Sequence, residues 1–284
     1  MNFTKTRYIF LKFSEYLNIL SLDAPLVVLV WQDFFADILE VELTYSNRLV
    51  FLLSVWLAYS ADRLLECVGA KSGRKLFKRH LFFYQNYKQF GFVWGVVLSV
   101  SVLLTCLNFE RTEVFYCLGL LSIVLVNQVW SFYEPRFFLK LISKSLRTSI
   151  ILTIGCVFLP VILCEGLKVN NYLLIFLITH LFWINCALSK SWEYETLDLK
   201  KPSLIPFLKN QNFYSEICVL TLLLSSVNLC LYFFNIHVEI ISLSLIFTVY
   251  FLIIFLIKSK MCKAQKIILL DQFYWITPLC YSFV

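Results

Sequence analysis

Charge is scarce in this chain: Asp, Glu, Lys and Arg make up 15% of 284 residues, while 60% are hydrophobic and 18% aromatic. So little charge cannot cover a soluble surface, because water would then have to solvate most of the Phe, Leu and Ile side chains. The alternating pattern of membrane-barrel strands is missing too, which leaves helices as the elements that pair their backbone groups inside a bilayer. No Cys-x-x-Cys pair occurs among the ten cysteines. Cys106, Cys117, Cys156, Cys164, Cys186, Cys218, Cys230 and Cys280 lie within or at the ends of apolar runs and read as small buried hydrophobes. No small-residue cleavage site follows the mixed stretch from Met1 to Asn18, so a removable signal peptide is not expected. Matching spans lack central Gly or Pro pairs, with Gly155 and Pro160 the nearest approach, which argues against a transporter built on broken helices.

What the chain does have is a succession of apolar runs. Crossing the hydrocarbon takes about 20 mostly apolar residues, and nine candidates occur: 17–39, 46–66, 89–108, 113–133, 141–164, 171–191, 213–235, 238–257 and 264–283. Asp23 and Asp33 interrupt the first and Asp271 the last. Threading all nine puts 22 of the 25 Lys and Arg residues on one side and only Arg48, Arg111 and Lys168 on the other. Such a split orients the N-terminus to the cytoplasm and the C-terminus outside. The net charge of +7 is then the ordinary cytoplasmic excess and carries no nucleic-acid signal. The expected fold is all-α: a polytopic membrane protein of nine helices forming one domain over residues 1–284.

Two connections on the basic side, 67–88 and 192–212, are longer than the rest and carry most of the polar residues. The first follows Trp56-Leu57-Ala58-Tyr59-Ser60-Ala61-Asp62-Arg63-Leu64-Leu65-Glu66. On a helix Tyr59, Asp62 and Glu66 stand three and four apart, so a phenol and two carboxylates share one face. The second opens with Glu193, Glu195 and Asp198, of which Glu195 and Asp198 can share a face. Two carboxylate pairs facing one another in a helix bundle suit Mg²⁺, whose remaining positions substrate phosphates would fill. Arg63, Arg79, Lys144, Lys200 and neighbouring cations could neutralise those phosphates.

At these residues the chain resembles the UbiA superfamily of intramembrane prenyltransferases. That family has nine transmembrane helices around a central cavity and Asp-rich motifs after helices 2 and 6. Its first motif, Asn-Asp-x-x-Asp-Arg-x-x-Asp, lands on Asp62, Arg63 and Glu66, whereas its opening pair falls on Ala58 and Tyr59. Lys144, eleven residues before Gly155, resembles the Lys-Glu opening of helix 5, with Ser145 at the Glu position. Within the superfamily the chain looks like a divergent bacterial subgroup with Tyr-x-x-Asp-Arg-Leu-Leu-Asp/Glu followed by Arg-His, here Arg79-His80.

The resemblance implies transfer of a prenyl group from a polyprenyl diphosphate to an aromatic or other lipophilic acceptor, in a bacterial inner membrane and with Mg²⁺. Asp62, Glu66, Glu195 and Asp198 would hold the metal; Asp62, Arg63 and Lys144 would be catalytic; Arg63, Arg79, Lys144 and Lys200 would contact diphosphate. The loss of the motif's opening pair keeps a second reading open, a non-catalytic member that binds a lipid or a membrane partner. Simpler roles stand beside these. Asp62 and Glu66 could only end a helix, Glu193, Glu195 and Asp198 could balance nearby lysines, and His80 reads as a loop or headgroup contact. His180 and Asn185 suit interhelical hydrogen bonds, and the Gly91-x-x-x-Gly95 motif suits close helix packing.

Overall fold

The computed structural model describes residues 12–13, 15–69, 78–133 and 144–196, with side chains given except at 66, 68–69, 78–79, 131–133 and 191–196. All regular structure among the described residues is helical. After a short helical stretch at 15–19 come α1 (Asp23–Ile38), α2 (Tyr45–Gly69), α3 (Lys78–Gln85), α4 (Tyr87–Asn108), α5 (Arg111–Tyr133), α6 (Lys144–Leu163) and α7 (Val169–Thr196). Four of them contain segments long and apolar enough to cross a membrane: Tyr87–Asn108, Arg111–Trp130, Lys144–Leu163 and Val169–Lys190. These are the third to sixth apolar runs of the sequence, displaced by only a few residues. The runs at 213–235, 238–257 and 264–283 lie outside the described residues.

The first run differs from its expectation. Instead of starting near residue 17, α1 starts at Asp23, because the chain turns at Ser21, whose φ of 60° is left-handed and ends the preceding helical stretch. Asp23 therefore sits in the first helical turn, where a carboxylate complements the exposed N–H groups. Its Oδ2 accepts a hydrogen bond from Asn18 Nδ2 at 2.9 Å. The other interrupting acid is neutralised: Asp33 Oδ1 pairs with Arg48 Nε at 2.7 Å, and Arg48 Nη1 also donates to Leu43 O at 2.8 Å. With 16 residues α1 is about 24 Å long at the helical rise, shorter than the hydrocarbon core. By contrast, the 25 residues of α2 reach about 37 Å.

Local chemistry sets the helix starts at the opposite end from Asp62. Thr44 Oγ1 accepts from the Asn47 amide at 3.2 Å and donates to Asn47 Oδ1 at 2.7 Å, satisfying an orphan N–H at the start of α2. Glu113 Oε2 reaches back to the Glu110 amide at 2.8 Å and does the same for α5.

The described residues fall into two compact units, one of residues 12–133 with 155–164 and the other of residues 144–154 with 165–196. In the first, α1 buries Val28, Trp31, Phe34 and Phe35, while Ala36, Leu43, Val50, Phe51, Phe109 and Leu159 form an apolar cluster. Phe51 and Phe158 pack there with ring centroids 5.6 Å apart. Helices α4 and α5 bury little and expose Phe92, Val96, Leu103, Phe115, Leu118 and Val126 on broad outward arcs, as lipid-facing helices do. In the second unit, α7 buries Leu177, Ile178, Leu181, Phe182 and Ile184. The Ser149 and Thr153 hydroxyls of α6 return to the carbonyls of Leu146 and Ser149 at 2.7 and 2.9 Å, so no polar group of these side chains needs water.

Close packing occurs at a glycine other than those of the Gly91-x-x-x-Gly95 motif. Among the described residues a Cβ added at Gly91 or Gly95 would meet nothing within 4 Å, and Gly91 is exposed. At Gly155 it would lie 3.7 Å from Val28 Cγ1, and there Gln32 Nε2 donates to Gly155 O at 3.2 Å. This glycine lets α1 approach α6. Thermal unfolding in detergent should therefore separate the sites. Gly95→Leu is expected to leave the midpoint unchanged, whereas Gly155→Leu overpacks against Val28 and lowers stability by about 1–3 kcal/mol.

Candidate active site

Helix α2 continues without a break through Trp56 to Glu66, so Tyr59, Asp62 and Glu66 do lie on one helical face. Two neighbouring helices grip the backbone just below that face. Trp94 Nε1 of α4 donates to Leu57 O at 3.0 Å, and Gln128 Nε2 of α5 donates to Ala58 O at 2.8 Å. Within α2 the Ser60 hydroxyl lies 2.6 Å from Trp56 O and 3.2 Å from Leu57 O. Three successive carbonyls thus receive a side-chain donor one turn before Asp62.

Further contacts come from the chain before α1. Trp56 Nε1 donates to Leu20 O, and Arg63 Nη1 donates to Asn18 O, each at 3.0 Å. Arg63 is only 3% exposed. Its guanidinium carbon lies 5.8 Å from the Tyr59 ring centroid and 6.0 Å from that of Phe83, within cation–π range of both. Phe83 on α3 is fully buried against Phe90 at 4.4 Å, and Cys67 Sγ donates to His80 O at 3.2 Å. His80 is buried as well, at 5% exposure, which differs from the expected headgroup contact: α3 folds back on the end of α2 and takes the residue with it.

The carboxylates that end this helix face are hard oxygen donors one turn apart, a chemistry that fits Mg²⁺ better than a soft metal. Asp62 is partly buried, and the Glu66 side chain lies outside the described residues. Among the described residues no group of three or more His, Cys, Asp and Glu side chains comes together. Arg79 lies in α3 and Glu195 in the last turn of α7, their backbones alone described, while Asp198 and Lys200 fall outside the described residues. Lys144 is the first residue of α6, partly buried in the second unit, and the neighbouring Ser145 is 4% exposed. On α7, His180 meets the Trp183 ring edge-on at 5.6 Å, and Asn185 Oδ1 is buried with no hydrogen-bond partner among the described residues.

Gln128, Trp94 and Asn18 were not singled out by sequence reasoning. A lone Gln inside an apolar run is a visible signal of an interhelical bond, but its partner, a backbone carbonyl 70 residues away, leaves no mark in sequence. Arg63→Met deprives Asn18 O of its donor and two rings of their cation. The expected cost is about 1–3 kcal/mol in thermal unfolding, with faster amide exchange confined to residues 17–22 and their contacts. Comparison with family models, with curated proteins and with solved structures finds no match to this chain.

Proposed function

We propose that the chain is an integral-membrane prenyltransferase of the UbiA type, moving a prenyl group from a polyprenyl diphosphate to an aromatic or other lipophilic acceptor. The observation that carries this reading is the end of α2. A partly buried carboxylate, Asp62, sits on a helix whose rotation two neighbouring helices hold, in a chain with four helices apolar enough to cross a membrane. A charge at such a depth is costly unless it serves a purpose. In this reading nine helices enclose a central cavity, the N-terminus is cytoplasmic, the C-terminus lies outside, and the bacterial inner membrane is the site.

Asp62 and Glu66 on α2 would hold one Mg²⁺, and Glu195 and Asp198 beyond the sixth span a second; these ions would supply neutralisation of the leaving diphosphate. Arg63, Arg79, Lys144 and Lys200 would add hydrogen-bonding cations to the diphosphate oxygens. Reaction begins with heterolysis of the allylic C–O bond, whose electron pair leaves on the diphosphate. The acceptor's nucleophilic atom then bonds to the allylic carbon and gives up its proton. The apolar walls exclude water, which would otherwise capture the cation.

One observation favours a second reading. Arg63, the arginine of the motif, is buried and holds Asn18 O, while Ala58 and Tyr59 stand where the motif opens. A non-catalytic relative that binds a lipid or a membrane partner fits these features, and calorimetry with Mg²⁺ and a prenyl diphosphate separates the two, since that relative has no metal-dependent diphosphate affinity. For the enzyme, Asp62→Ala in purified protein is expected to abolish Mg²⁺-dependent prenyl transfer; unchanged turnover removes the assignment.

A further inference from the structure

Gln128 lies in a mostly apolar helix, is 9% exposed, and its amide has no water to turn to in a bilayer. Stability alone does not account for it. Replacing such a side chain with an apolar one of the same length costs little, because interhelical hydrogen bonds in membranes contribute on average about 0.6 kcal/mol. Its bond, however, falls at a particular carbonyl. In an α-helix the oxygen of Ala58 also accepts the amide of Asp62, four residues on, so Gln128 touches the backbone from which the Asp62 carboxylate is displayed. A carbonyl has two lone pairs and serves both donors.

Trp94 makes the equivalent bond to Leu57 O from a different helix. Carbonyls of successive residues are offset by about 100° around the helix axis. Two donors arriving at adjacent carbonyls from two helices therefore fix both the height and the roll of α2, which a single bond would leave free. The distance along the chain from this collar to Asp62 is one turn. A slip of one residue would turn the face that carries Tyr59 and Asp62 by about 100°, and functional groups need to be held within about 10–20°.

We infer that Gln128, together with Trp94, is a positioning residue: the two donors set the rotation of α2 and so the direction in which the helix displays Asp62 to a divalent cation and its diphosphate. The role rests on the prenyltransferase reading for its ligand but not for its geometry. Arg63 completes the arrangement from the other side through Asn18 O, so the segment from Leu57 to Arg63 is held at both ends.

The test uses the full chain in lipid nanodiscs and Gln128→Met, which keeps the side-chain length and removes the donor. Three quantities are measured: amide hydrogen exchange of residues 58–66, the thermal midpoint, and the Mg²⁺ concentration giving half-maximal binding of a prenyl diphosphate. The expected result is a several-fold faster exchange confined to residues 58–66, an unchanged midpoint, and an increase of about tenfold in half-saturating Mg²⁺, equivalent to about 1.4 kcal/mol. Unchanged exchange overturns the inference. So does a lowered midpoint with faster exchange in every helix, which is a structural role, and so does a local change with Mg²⁺ dependence unaltered. If the exchange change is local but the unsubstituted protein shows no Mg²⁺-dependent diphosphate binding, the positioning of α2 is upheld and the enzyme reading fails.

Discussion

Water is absent between helices inside a bilayer, and each polar group there has to find its partner in the protein. Much of the described architecture follows from that condition. Serine and threonine hydroxyls on α6 bond to carbonyls of their own helix. The charge of Asp33 is matched by Arg48, and the indole and amide donors of Trp94 and Gln128 reach main-chain oxygens of α2. Because the main chain is the acceptor, these bonds are insensitive to which side chain occupies positions 57 and 58. Side chains at these two positions can therefore vary while the helix keeps its orientation.

The two ends of the first unit are held by different forces. Around Phe51, Phe109 and Leu159 the contacts are apolar and close-packed, and such contacts resist small displacements collectively. Around Arg63 they are hydrogen bonds and ring contacts of a single cation with Asn18, Tyr59 and Phe83. Interactions of the second kind are directional and exchange readily for ligand or water. The Asp62 end therefore depends on a few directional bonds, and the opposite end on many small contacts.

The third to sixth apolar runs were legible because helix formation in a bilayer depends on length and hydropathy, which a single sequence carries. The start of α1 was not, since it depends on a left-handed Ser21 and on the Asn18–Asp23 bond, neither of which hydropathy registers. Gly91 and Gly95 illustrate a different limit. Their spacing permits close approach but does not say whether a partner is there, while Gly155, without such a motif, meets Val28. The acidic face of α2 was readable from its three-and-four spacing, whereas the burial of Arg63 and its bond to Asn18 O depend on the fold and leave no mark in sequence. Residue type indicated charge, and only the fold indicated where the charge is used.

The Arg48–Asp33 pair also bears on how this protein enters the membrane. With 16 residues and three acids, Asp23, Asp33 and Asp37, α1 is a poor candidate to partition into lipid unaided. Arg48 lies in the first turn of the following helix, which a short connection brings alongside. A hairpin of α1 and α2, its opposite charges joined across 15 residues of chain, is a better unit for lipid than α1 alone.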